Sequence, residues 1–183
     1  STSTMIPEPT SFWKLDEATA ATRVDAIGDN DLTDNGSVTN VTAGKVGSCA
    51  GFTAASSQYL SIGSNATLQM GDVDFTVAAW VYLTAATEAM VAGKWSAVGS
   101  LEYILYASTT EPPFFAVSAN GTTTVQAGGG SPMQLNRWYF LAGWHDSVRN
   151  EVGFELDDAG AVTASWANGV LAGTGAFEVG REP

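Results

Sequence analysis

The run Phe75-Thr76-Val77-Ala78-Ala79-Trp80-Val81-Tyr82-Leu83 is built from branched, small and aromatic residues, with no glycine, proline or charge. Such a run reads as a strand, because branched and aromatic side chains pack well on a pleated surface. Successive side chains point to opposite faces. Phe75, Val77, Ala79, Val81 and Leu83 therefore share one face, and Thr76, Ala78, Trp80 and Tyr82 the other. Both faces are largely apolar, which predicts a central strand covered on both sides. Arg137 to Asp146 repeats the design, with Trp138, Phe140, Ala142 and Trp144 opposite Tyr139, Leu141, Gly143 and His145. Two such strands predict an antiparallel two-sheet sandwich in which one face meets the shared core and the other lines a concave groove or sits beneath loops.

Working outward, short runs rich in Val, Thr, Phe, Tyr and Trp recur between Gly, Asn, Asp and Ser clusters. Helical periodicity is almost absent. Strands are predicted near Ser11–Asp16, Lys45–Thr53, Gln58–Ile62, Asp74–Leu83, Ala89–Trp95, Glu102–Ala107, Phe114–Ala119 and Thr122–Gln126, and then near Arg137–Asp146, Glu151–Asp157, Val162–Trp166 and Ala176–Gly180. Asn65–Met70 is the one stretch suited to a helical turn. Asn120-Gly121 and Asn168-Gly169 read as tight hairpin turns. Residues 1–10 read as a polar tail, and 11–183 as a single all-β jelly-roll domain, since no repeat or change of composition divides them.

The chain has 183 residues, 45% hydrophobic and 14% charged, which suits a folded globule. Its net charge of −12 lacks the basic footprint of a nucleic-acid binder. No run approaches the roughly 18 apolar residues of a membrane-spanning helix, so membrane insertion is not expected. The N-terminus has no signal-peptide layout. With Cys49 alone, no internal disulfide can form, and its apolar surroundings suit a small core residue. His145 is the only histidine, which removes multi-histidine zinc sites.

The order FWKLDE (12–17), GKVGSCAGFTAASSQYLSI (44–62), GDVDFTVAAWVYL (71–83), RWYFLAGWHD (137–146) and AFEVGRE (176–182) resembles laminin-G-like jelly-roll domains. These belong to the concanavalin A-like lectin/glucanase superfamily. The resemblance implies a two-sheet antiparallel jelly roll. Such domains usually continue past the FEVGRE segment with one more strand, often bearing an Asp-Glu pair, beside the N-terminal strand. The edge near Phe12–Leu15 is therefore expected to be filled by a neighbouring chain or unusually exposed, which would allow oligomers through an open sheet edge.

The glucanases of the superfamily use a strand of the type Glu-x-Asp-x-Glu. Here Glu151-Val152-Gly153-Phe154-Glu155 puts glycine in the middle position. Retaining hydrolysis needs two carboxyls converging to about 5–5.5 Å. The alternation instead reads as Val152 and Phe154 in the core with Glu151 and Glu155 in water. No Gly-x-Ser-x-Gly elbow offers a nucleophile to His145, and no catalytic residue is assigned.

Acids cluster early: Asp16, Glu17, Asp25, Asp29, Asp31 and Asp34, with Arg23 among them. Hard oxygen ligands on a Gly- and Asn-rich loop suit calcium. The resemblance implies a structural calcium near Asp25-Ala26-Ile27-Gly28, with Asp25, Asp29 and Asp31 as candidate ligands. A sugar site needs an aromatic platform with short polar side chains at a rim. Trp95, Tyr103, Trp166, His145 and Asp146 are the candidates, while Trp13, Trp80, Trp138 and Trp144 are assigned to the core or its edges. Asn35, Asn40, Asn65 and Asn120 begin Asn-x-Ser/Thr triplets and predict exposed loops. Together these features predict a non-catalytic recognition module, for a glycan or a neighbouring protein chain, at an extracellular, virion or cell surface. The alternative is a structural or decoration component of such an assembly.

Overall fold

The computed structural model describes residues 8–97 and 99–181. Thirteen strands run in chain order: β1 Thr33–Asn35, β2 Thr39–Val41, β3 Cys49–Gly51, β4 Tyr59–Ile62, β5 Phe75–Tyr82, β6 Glu88–Trp95, β7 Leu101–Ser108, β8 Phe114–Gly121, β9 Thr124–Gly128, β10 Trp138–Asp146, β11 Glu151–Leu156, β12 Val162–Ser165 and β13 Phe177–Arg181. A seven-stranded sheet has the order β1-β4-β13-β6-β7-β8-β9, and a four-stranded sheet the order β12-β11-β10-β5. β2 and β3 form a separate ribbon. All pairings are antiparallel. The result is an all-β jelly-roll sandwich.

Its main core is the contact layer between the sheets. Leu60, Tyr103, Leu105, Phe115, Val117 and Phe177 from the larger sheet meet Tyr139, Leu141, Val152 and Phe154 from the smaller. Burying a side chain of this size stabilises by about 1.5–3 kcal/mol. Gly143 is required where the sheets approach closely: a Cβ there would lie 2.3 Å from the Phe115 ring.

Several sequence readings are corrected. β5 is not central. It lies at the edge of the four-stranded sheet and, among the described residues, pairs only with β10. Its second apolar face, with Trp80 and Tyr82, is exposed to solvent. Ser11–Asp16 is not a strand but makes one bridge, Trp13 with Asp25, because Leu15 takes a positive φ of 60° and breaks the extended run. Phe12–Leu15 therefore forms no sheet strand, and among the described residues β5 is one of the strands that end a sheet. Lys45–Thr53 shrinks to β3, since Gly47 turns the chain with a φ of 66°. Asn168-Gly169 turns the chain between sheets rather than closing a hairpin, with β12 in one sheet and β13 in the other. The expected helical turn is a 3-10 turn at Ala66–Leu68, capped by the Asn65 side chain.

The early acids have structural employment. Arg23 is fully buried and donates to the carbonyls of Ala18, Ala21 and Val38. Glu17 and Asp34 each lie 3.8 Å from its guanidinium. Asp34 also accepts from the N–H groups of Ser37 and Val38, and Glu17 from that of Val24.

Candidate functional site

The face of the four-stranded sheet turned away from the core carries an aromatic array that the β5–β10 register assembles. Tyr82 pairs with Trp138, Trp80 with Phe140, Ala78 with Ala142 and Thr76 with Trp144. Paired residues point to the same side of a sheet. The Trp80 and Phe140 rings lie 5.2 Å apart, as do those of Tyr82 and Trp138. Trp80 is 46% and Tyr82 39% exposed. Lys45 places its ammonium 4.3 Å from the Trp80 ring centroid, a cation–π contact that sets a hydrogen-bond donor beside the ring.

Between the Trp80–Phe140 pair and Trp144 the floor is made of Ala78 and Ala142, a shallow depression between taller side chains. Phe140 and Trp144 are four residues apart on β10, about 13 Å at strand rise. β11 supplies the flank. Glu155 pairs with Ala142, and Gly153 with Trp144. The Trp144 indole lies on Gly153, where a Cβ would stand 2.1 Å from the ring. That close approach is the reason for glycine at the position where the glucanase pattern has an acid. It also sets an indole over the backbone that separates Glu151 from Glu155. Val152 and Phe154 are buried and the two glutamates half-exposed, in line with the sequence reading.

The residues singled out in the sequence do not come together. Tyr103 is 1% exposed, inside the main core, and its hydroxyl donates to the Leu68 carbonyl at 3.0 Å. Burial and the neighbouring Glu102 charge raise its phenol well above the ordinary range. It is a core residue, not a platform. His145 is 2% exposed, and its Nδ1 lies 2.8 Å from the Val73 carbonyl. Asp146, the next residue along β10, points to the opposite face, accepts from the Arg149 N–H and pairs with that side chain at 3.3 Å. Trp166 packs against the main core and donates to the Gly169 carbonyl. Trp95 lies on the outer side of the seven-stranded sheet, beside a cluster of Met90, Ile104, Tyr106 and Ala116. There Tyr106 and Phe114 stack at 4.5 Å and occupy each other's faces.

Conversely, Trp80, Trp138 and Trp144, assigned from sequence to the core or its edges, belong to the outer array. Trp13 is interior as expected, stacked on Phe177 at 5.3 Å. The alternation had put the right side chains on one face. The register that lines the two strands up is a tertiary fact.

Asp25, the acid of the early turn, is engaged by the chain itself. Asp25 Oδ1 accepts from the Phe12 and Ile27 N–H groups, and Oδ2 from that of Asn30. Burial works to raise its carboxyl, but backbone N–H groups of Phe12, Gly28 and Ile27 and the Ser11 hydroxyl override it and lower the pKa to about 2. A pocket of N–H donors holds the carboxylate as an anion. Asp29 and Asp31 are exposed, and Asp31 accepts from the Asp25 N–H. No group of three or more His, Cys, Asp or Glu suited to a metal occurs among the described residues. Of the Asn-x-Ser/Thr asparagines, Asn120 is exposed, but Asn35, Asn40 and Asn65 are half-buried with their side-chain amides engaged.

Residues 54–182 match the family model described as concanavalin A-like lectin/glucanases superfamily, and the chain belongs to that superfamily. Two solved structures are similar. One is a native heptameric SAP-like pentraxin from Limulus polyphemus, at 12% identity and a TM-score of 0.46, with 63% of this chain and 55% of that one aligned. The match thus spans little more than half of the pentraxin chain. The other is the CBM40 of a Ruminococcus gnavus IT-sialidase bound to α2,3-sialyllactose, at 10% identity and a TM-score of 0.34, covering 63% and 77%. No curated protein matches the sequence. Among the described residues no helix is long and apolar enough to cross a membrane.

Proposed function

We propose that the chain is a non-catalytic recognition module, working outside the cell or on a surface assembly, that binds a carbohydrate on the outer face of its four-stranded sheet. The observation that carries this is the outer-face array of exposed Trp80 and Tyr82 beside half-buried Trp138, Phe140 and Trp144, around the Ala78–Ala142 floor. A sugar ring presents axial C–H groups on one face and hydroxyls at its rim. Aromatic rings take the former, while Glu155 and the Lys45 ammonium are placed to bond the latter. Catalysis is not part of the proposal, because Gly153 and the Trp144 indole stand between the only two glutamates on the strand.

A glycan array with the wild-type chain, followed by titration of the best hit against Trp80→Ala and Glu155→Gln, tests the reading. Each substitution is expected to weaken binding at least tenfold. Absence of any hit with folded protein, or affinity indifferent to both changes, overturns it. A second reading, a structural component of a virion or surface filament, is favoured by one observation: among the described residues no strand pairs with the outer edge of β5. A concentration-dependent polymer without sugar affinity would select it.

A further inference from the structure

We propose that Lys94 and Glu102 join covalently, through an amide formed between the lysine Nζ and the glutamate Cδ with loss of one water, and so lock the β6–β7 hairpin inside the sandwich. The proposal does not rest on the sugar-binding reading.

The two residues meet at a bulge. Lys94 pairs with Tyr103 and Trp95 with Leu101, so Glu102 is the extra residue of β7. A bulge re-aims the side chain of its extra residue. Tyr103 lies in the main core, and here Glu102 also turns inward, to Lys94. Glu102 is 0% and Lys94 1% exposed. Lys94 Nζ lies 2.9 Å from Glu102 Oε2. Residues 171–175 close the site from above. The Leu171 N–H donates to the Ser118 carbonyl at 2.7 Å, and Lys94 Nζ donates to the Gly173 carbonyl at 3.1 Å. The cover is tight: a Cβ on Gly173 would stand 2.9 Å from Glu102 Oε1, and one on Gly175 3.4 Å from it.

As an ion pair this arrangement is poorly supported. Two buried charges are stabilising only where further hydrogen bonds satisfy the carboxylate. Among the described residues neither Glu102 oxygen has a hydrogen-bond partner, so its contact with Nζ is ionic and lacks the geometry of a directed hydrogen bond. The Asp25 carboxylate, by contrast, collects three backbone N–H groups. An amide between Lys94 and Glu102 replaces both charges with one neutral group. Its N–H keeps the Gly173 carbonyl as acceptor, and one of the two unpaired oxygens leaves.

The step balances without a co-reactant. The ammonium gives up two of its three protons. The nitrogen lone pair forms the bond to Cδ, one C–O bond of the carboxylate breaks, and that oxygen departs with the two protons as water. Proximity supplies the drive, since well-oriented intramolecular reactions reach effective molarities of about 10⁵–10⁸ M. Full burial keeps bulk water from the adduct. The chain has a single cysteine and so no internal disulfide, and the amide gives it a covalent tie of another kind.

Intact mass spectrometry of the purified full chain under denaturing conditions reads the bond directly. The chain is expected to be lighter than its sequence by one water. Trypsin is expected to leave Lys94 uncut and to release one peptide spanning 46–137 that carries the deficit. The double variant Lys94→Met with Glu102→Leu, which fills the same space with apolar side chains, is expected to show the full mass of its own sequence, and this readout holds whether or not the variant folds. A wild type at full mass and cut at Lys94 overturns the proposal. So does a missing water that persists in the double variant, or one found in a wild type that trypsin cuts at Lys94.

Discussion

Replacing Asp25 by asparagine removes a charge that the backbone around it is arranged to receive. The residue is 5% exposed. Three N–H groups, from Phe12, Ile27 and Asn30, point at its two oxygens at 2.9, 3.1 and 3.3 Å. An amide offers one acceptor oxygen where the carboxylate offers two, and it turns N–H groups toward donors. The magnitude follows from the carboxyl's displacement from the ordinary 3.8 to about 2. At roughly 1.4 kcal/mol per unit, the ionised form contributes about 2 kcal/mol. For a chain of this size that corresponds to roughly 4–8 °C in melting temperature at neutral pH.

The pH dependence has a definite sign. The folded pKa lies below the unfolded one, so this stabilisation is complete above about pH 4 and is lost as pH falls toward 2. The amide of the variant cannot titrate. Urea unfolding of wild type and Asp25→Asn from pH 7 to about pH 2.5 should therefore show a gap of about 2 kcal/mol that shrinks to about a third at the acid end. A gap of constant size across that range would assign the cost to shape rather than charge. Equal stability at neutral pH would refute the clasp altogether.

Other substitutions follow from the same contacts. Arg23→Met strips the buried cation from Glu17 and Asp34 and should cost about 3–5 kcal/mol in urea melts. Tyr103→Phe should cost about 1–3 kcal/mol by orphaning the Leu68 carbonyl, while leaving any sugar affinity unchanged. Gly143→Ala drives a methyl into the Phe115 ring and should destabilise by about 1–3 kcal/mol, read by near-UV circular dichroism and melting. Chelator should leave the melting temperature unmoved, because the Asp25 pocket is filled by N–H donors; a fall of several degrees would reinstate a calcium ion.

The long strands were legible in the sequence because each carries its own signal of eight or nine branched and aromatic residues. β1 and β2 were not. Three residues such as Thr33–Asn35 make no pattern, and only pairing with Tyr59–Ser61 makes them a strand. The side-chain faces of β5 and β10 were read from alternation, which left the outer face either covered or lining a groove. Apolar character on both sides normally marks a covered strand, and here one side is a solvent-facing array. Trp80 and Phe140 are sixty residues apart and meet only through the register of the two strands. Tyr103 and His145 misled for the opposite reason. Each is an aromatic with a polar tip, and each turns that tip to a backbone carbonyl from the buried side of its strand. The early acids read as ligands because sequence shows their charge but not the N–H groups and the buried Arg23 that receive it.

Tryptophan emission during glycan titration of the wild type beside Trp80→Ala and Phe140→Ala reports directly on the outer sheet face. A saturable change in the wild type, lost in both variants while their circular dichroism stays native, is the outcome expected of a sugar seated on those rings. A ligand that binds all three proteins alike would place recognition elsewhere on the sandwich.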